Sequence, residues 1–150
     1  MPRLYFYNGL RYGGLINKTI CLFSLGKYSH VEIYFPSYND RYTASPFSGT
    51  YGMIGDIPEK EKKKYTPVEI TCSPYQEKVL HRCCVRGINM SYDYRGVFGC
   101  LFKWIKQDYS KYFCSEYILC GLQWVKLYKG ETALSPNEMF ERIKNTQWGN

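Results

Sequence analysis

Residue 72 divides this chain by the period of its apolar residues. Before it lie short alternating runs cut by Gly, Pro, Ser and Asn; after it come longer segments that open with helix-capping residues. "HVEIYF" (30–35) is the best defined of the strands. Val31, Ile33 and Phe35 share one face, His30, Glu32 and Tyr34 share the other, and Pro36 ends it. "RLYFY" (3–7), "RYTAS" (41–45), "YGMIG" (51–55) and "PVEIT" (67–71) read as further strands. In 13–26, Leu15, Ile16, Ile20 and Phe23 fall near helical spacing with Gly26 as a stop, although "TICLFSL" also suits a buried strand. "EKEKKKY" (59–65), set between Pro58 and Pro67, is expected to be a solvated loop.

The second half is helical by its punctuation. "SPYQ" (73–76) is a capping box with Pro74 at the first helical position, and its helix is expected to run to Arg86 and stop at Gly87. "DYRGVFGCLFKWIK" (93–106) reads as a helix capped by Asp93. Another begins near Cys114 and carries Ile118, Leu122 and Val125 towards Gly130, and "SPNE" (135–138) caps a last short one. Strands first and helices afterwards is an α+β pattern, with an antiparallel sheet packed against helices. At 150 residues, 1–150 is read as one domain.

Composition narrows the setting. Seven cysteines without regular spacing argue against a disulfide framework, and "MPRLYFYNGLRYGG" lacks the apolar run of a signal peptide. No stretch approaches a transmembrane span. The expectation is a reduced, cytoplasmic protein. Zinc is not expected: no CxxC pair occurs, and "HRCC" (81–84) crowds its ligands on one helix. No cofactor is implied. The net charge of +7 and the 16 tyrosines suit an anionic partner, but also a plain solvated surface, and no helix carries the concentrated Lys/Arg stripe of a specific nucleic-acid binder.

Thiol catalysis needs a thiolate, an imidazole to hold its proton and a polar group to orient that imidazole. "YFCSEYILCG" (112–121) sets Cys114 at a helix start, where free amides and the dipole favour the thiolate, with Glu116 in the first turn. Cys100 and Cys120 fall in helix interiors and read as core. Of the two histidines, His81 lies within the helix capped by Ser73 and is expected on its surface. His30 opens an alternating strand with Glu32 on its own face, opposite a fully apolar one.

"YSHVEIYF", "MSYDYRG", "YFCSEYI" and "LSPNEMF", in this order, resemble the circularly permuted branch of the NlpC-type papain-like cysteine hydrolases. That branch includes the YiiX-like proteins and their viral relatives and, more distantly, the lecithin:retinol acyltransferase-like proteins. The resemblance covers roughly residues 4–143 and implies a His strand preceding the Cys helix. It makes Cys114 the nucleophile and His30 the general base. Glu32 is the first choice to support His30, with Thr43 or Ser45 on the next strand as alternatives. Tyr92 would line the site or donate to the oxyanion, and the amide of Cys114 would supply one oxyanion donor; Ser115 and Ser45 are further binding candidates.

The expected activity is hydrolysis of an amide (peptide, murein or isopeptide) or of an acyl ester or thioester. Its substrate would be a peptide, cell-wall or acyl-lipid molecule, with an anionic one favoured slightly by the charge. Two other readings stay open: a catalytically silent basic binding module, and a thiol acyltransferase acting on lipid.

Overall fold

The computed structural model describes residues 1–45, 49–91 and 113–147. Five strands form one antiparallel sheet: β1 (Arg3–Asn8), β2 (Tyr28–Phe35), β3 (Asp40–Ser45), β4 (Gly49–Ile54) and β5 (Tyr65–Glu69), in the spatial order β4-β3-β2-β1-β5. Around them run α1 (Gly9–Tyr12), α2 (Leu15–Phe23), α3 (Glu59–Lys62), α4 (Pro74–Arg86), α5 (Cys114–Trp124) and α6 (Pro136–Gln147). The α+β expectation therefore holds, and all five strands lie where the alternation predicts them, within a few residues. The helix expected over 93–106, together with Tyr92, Asp93 and Cys100, lies outside the described residues.

Alternation in β2 decides which face is covered. Val31, Ile33 and Phe35 are fully buried with Leu4 and Phe6 of β1, against Ile118, Leu119 and Leu122 of α5 and Met139 of α6. The opposite face carries a smaller aromatic cluster of Tyr5, Tyr34 and Ile57 with Tyr65 packed against it. Between β1 and β2 the register runs Tyr7↔His30 and then Asn8↔Tyr28, so Ser29 is the extra residue of a β-bulge. A bulge re-aims the side chain beside it, and the one beside it here is His30.

Both capping boxes form. Ser73 accepts from the Gln76 amide at 3.2 Å while Gln76 accepts from the Ser73 amide at 3.0 Å. Ser135 and Glu138 repeat the exchange at 3.3 and 2.8 Å. Asn137, between them in the sequence, has another task. Its side chain accepts from the Tyr28 amide at 2.8 Å and donates to the Tyr28 carbonyl at 2.8 Å, holding the start of the His30 strand against α6. Gly26 permits this clamp, since a Cβ there would stand 2.2 Å from Asn137 Oδ1.

Three local expectations need correction. The 59–65 segment is not all loop: Glu59–Lys62 form a helical turn after Pro58, and β5 begins at Tyr65 because Tyr65 pairs with Tyr7. The helix beginning at Cys114 ends at Trp124, short of Gly130. Lys126 takes φ 60° there and the Leu127 amide returns to the Leu122 carbonyl at 2.9 Å, a Schellman-type stop. The third correction concerns α2. It is a helix, but its inward face is Asn17, which accepts from Ser29 Oγ at 2.9 Å, and the buried Cys21; Leu15, Ile16, Leu22 and Phe23 face outward.

Candidate active site

Cys114 opens α5. Its preceding residue, Phe113, has extended backbone and no side-chain acceptor, so no side chain of its own caps the first turn of amides. The helix packs on β2, which brings the buried Cys114 thiol to His30, and the two side chains hydrogen-bond. Burial is the largest influence on the thiol and pushes its pKa up. The hydrogen bond and charge of His30, aided by the Val31 and Ser115 amides, outweigh it and leave Cys114 below the ordinary thiol value.

His30 responds in the opposite sense. Burial pulls its pKa down, but the hydrogen bond and charge of Cys114 and the charge of Glu32 prevail and leave it raised. Both shifts favour a thiolate–imidazolium pair near neutral pH.

The ring's second partner follows from counting protons. Thr43 Oγ1 donates its only hydrogen to the Val31 carbonyl at 2.8 Å, and it lies 3.1 Å from His30 Nε2. Thr43 must therefore accept from Nε2–H. With Nε2 so engaged, Nδ1 is the nitrogen left for the thiol, and the tautomer needed for proton abstraction is set.

Glu32, ranked first by sequence, stands 3.7 Å from Nε2 and makes no hydrogen bond to the ring. Its carboxylate is held instead by Arg41 Nε at 2.6 Å and by the Tyr65 hydroxyl, which donates at 3.2 Å. Burial and the Glu32 charge push the Tyr65 phenol up, which keeps it a donor. Glu32 thus biases His30 through space, while Thr43 touches it.

Thr43→Val keeps the shape and removes the acceptor. The expected result is a fall of about tenfold in Cys114 alkylation rate near neutral pH, as for loss of one hydrogen bond to a charged group, in a protein that still folds but is less stable by about 1–3 kcal/mol because the Val31 carbonyl loses its donor as well. Glu32→Gln, tested beside it, is expected to move the imidazole limb of the pH–rate profile to lower pH, because a raising influence is lost. An unaltered profile in Thr43→Val would remove Thr43 from this role.

Other sequence candidates fall elsewhere. Ser115 Oγ is fully buried and donates to the Leu134 carbonyl at 2.5 Å, so its side chain ties α5 to the segment before α6; only its amide faces the sulfur. Ser115 therefore meets the site through its backbone, and its side chain is structural. Ser45 lies two residues beyond Thr43 on the same face, at the end of β3 and opposite Gly49. His81 is not a plain surface residue. It meets Asp40 Oδ2 at 2.9 Å and stacks on Tyr38 with centroids 3.8 Å apart, tying α4 to the β2–β3 turn. That position is about 17 Å along β2 from His30, at the usual rise per residue.

Sequence reasoning missed Arg41, Tyr65 and Asn137. The alternation of "RYTAS", which puts Arg41 on the face of Thr43 and Ser45, was the available signal for the first. Among the described residues no group of three or more His, Cys, Asp or Glu side chains is arranged to hold a metal ion. Likewise among them, no helix is long and apolar enough to cross a membrane. In comparisons with known proteins, no family model, no curated protein and no solved structure matches the chain.

Proposed function

We propose that the protein is a cysteine hydrolase of permuted papain-like fold, acting through Cys114 and His30 with Thr43 as positioning residue and Glu32 as electrostatic support. One observation carries the reading. Of six described cysteines, Cys114 alone has its pKa lowered; burial pushes Cys21, Cys72, Cys83, Cys84 and Cys120 up. Reactive thiols are distinguished from structural ones by this sign. The order of the chain, with the His30 strand before the Cys114 helix, agrees with the permuted arrangement.

The chemistry runs in two halves. His30 Nδ1 takes the thiol proton, the sulfur attacks a carbonyl carbon, and the developing oxyanion rests on first-turn amides of α5, that of Cys114 among them. Collapse breaks the bond to the leaving group, which takes the proton from His30 and leaves a thioester on Cys114. Water, deprotonated by His30, then releases the acid and restores the thiol. The substrate class is a peptide or cell-wall amide, or an acyl ester or thioester.

The test is an intact-mass search for an acyl adduct on Cys114 after exposure to a panel of model thioesters, esters and amides, with residue-resolved iodoacetamide labelling in parallel. An adduct confined to Cys114, and alkylation there near pH 7 faster than at the half-buried Cys72 and Cys83, is expected. No adduct from any of the panel, with Cys114 alkylating no faster than those two, would overturn the reading.

A further inference from the structure

Residues 9–27 hold Arg11, Lys18 and Lys27 and no acid. Within them Leu15 is 83 % exposed, Ile16 65 %, Leu22 70 % and Leu25 93 %, with Leu10 and Phe23 also exposed. Scattered exposed leucines are ordinary, but this many on one short helix and its flanks form a patch. The patch borders an open groove of about 910 Å³. Leu10, Leu22 and Leu25 stand on one side and Phe140 of α6 on the other, with Lys27, Lys144 and one acid, Glu141, also lining it. Lys27 lies over the Tyr28 ring at 5.1 Å and Lys144 over the Phe140 ring at 6.0 Å, so cationic heads rim apolar surface.

Leu25 sharpens the point. It occupies the left-handed position of the turn that ends α2, at φ 51°, where the Gly26 amide returns to the Cys21 carbonyl at 3.0 Å and the Leu25 amide to Leu22 at 3.3 Å. Glycine is the favoured residue there, and a branched side chain is strained. The chain bears that strain to hold a leucine almost wholly in water.

We propose that α2 and its flanks dock on a membrane surface bearing anionic headgroups, the leucines entering the acyl boundary and the lysines meeting the headgroups. The helix has nine residues, so it lies in the interface and does not span it. A second copy of the chain is the less suitable cover, because a symmetric contact would set the cations Arg11, Lys18, Lys27 and Lys144 of one copy facing those of the other. This inference stands apart from the hydrolase reading and survives its failure.

Vesicle flotation tests it, with phosphatidylcholine alone and phosphatidylcholine mixed with phosphatidylserine. The whole chain is expected to float with the mixed vesicles, less with the neutral ones, and less again as salt rises. Leu22→Ser/Leu25→Ser should weaken binding by about tenfold or more, as two buried aliphatic side chains are lost. Lys18→Glu/Lys27→Glu should weaken it too. Leu25→Gly should reduce flotation while its melting temperature stays level or rises, which a purely structural role for Leu25 would not produce. No flotation with mixed vesicles, or flotation unchanged in all three variants, overturns the proposal. So does a concentration-dependent dimer that Leu22→Ser/Leu25→Ser abolishes while no vesicle binds.

Discussion

Cys114→Ala is expected to abolish acyl transfer while leaving a folded protein. The sulfur is buried at the head of α5, so its removal leaves a cavity of one atom, with a stability cost of about 1 kcal/mol. The catalytic cost is of another order: without the nucleophile, kcat/KM should fall by three decades or more, about 4 kcal/mol at 1.4 kcal/mol per decade. His30→Ala supplies the complementary test. Its hydrogen bond and charge are what hold the thiol down, so in its absence burial prevails and pushes Cys114 above the ordinary thiol value.

The pH dependence has a defined sign. Lowering the thiol pKa and raising the imidazole pKa both shift the pair towards thiolate–imidazolium over the pH window between their titrations. The wild-type pH–rate profile should therefore be bell-shaped, its acid limb set by the pair's lower titration and its alkaline limb by the upper. The pair also contributes to stability. The His30 part is full below the imidazole's unfolded value and is lost as pH rises through its raised folded value. The Cys114 part is full above the thiol's unfolded value and is lost as pH falls through its lowered folded value. In His30→Ala the window closes, and alkylation at pH 7 should drop by at least about tenfold. A folded His30→Ala with wild-type alkylation kinetics would separate the two residues.

How much of this was legible in the sequence depended on the range of the interaction concerned. The faces of β2, the two capping boxes and the position of Cys114 are local, and "HVEIYF", "SPYQ", "SPNE" and "YFCSE" display them directly. The hydrogen-bond partner of His30 is not local. The register of β2 and β3 runs Ile33↔Tyr42, Tyr34↔Arg41 and Phe35↔Asp40; continued along the strands it sets Thr43 opposite Glu32 and diagonal to His30, so strand spacing alone does not choose the partner. Tertiary placement does: Thr43 Oγ1 lies 3.1 Å from Nε2, whereas the Glu32 carboxylate, held by Arg41 and Tyr65, stops at 3.7 Å. The Glu32 charge does act on His30, which is the ground on which the carboxylate was preferred, while the hydrogen bond to the ring is made with Thr43.

The bulge at Ser29 and the clamp by Asn137 are likewise tertiary, and neither leaves a pattern in the residues around them. In α2 the period was readable but its direction was not. Helical spacing identifies a face; it does not say that Asn17 and Cys21 turn inward and the leucines out.

The largest effect on stability is expected from Arg41→Met. Glu32 and Arg41 are 8 % and 11 % exposed at the side chain and meet at 2.6 Å, with Tyr5 opposite Glu32 on β1 and the Tyr65 hydroxyl bonded to it. Removing the guanidinium leaves a carboxylate with little access to water and, among the described residues, only the Tyr65 hydroxyl donating to it. Breaking one side of a buried pair costs about 3–5 kcal/mol, chiefly the penalty of the stranded charge, and on a chain of this size that lowers the melting temperature by about 10 °C. Arg41→Met/Glu32→Gln should recover more than half of the loss, because what remains is an amide that Tyr65 can still engage. The same single variant should carry the alkaline limb of the pH–rate profile upward, as a Glu32 charge no longer answered by Arg41 acts more strongly on His30. Urea unfolding of Arg41→Met, Glu32→Gln and the double variant side by side reads the stabilities, and the pH dependence of Cys114 alkylation in Arg41→Met reads the limb. An Arg41→Met protein within about 1 kcal/mol of wild type would mean that water already reaches Glu32, and its hold on His30 would then be as weak as that of a surface carboxylate.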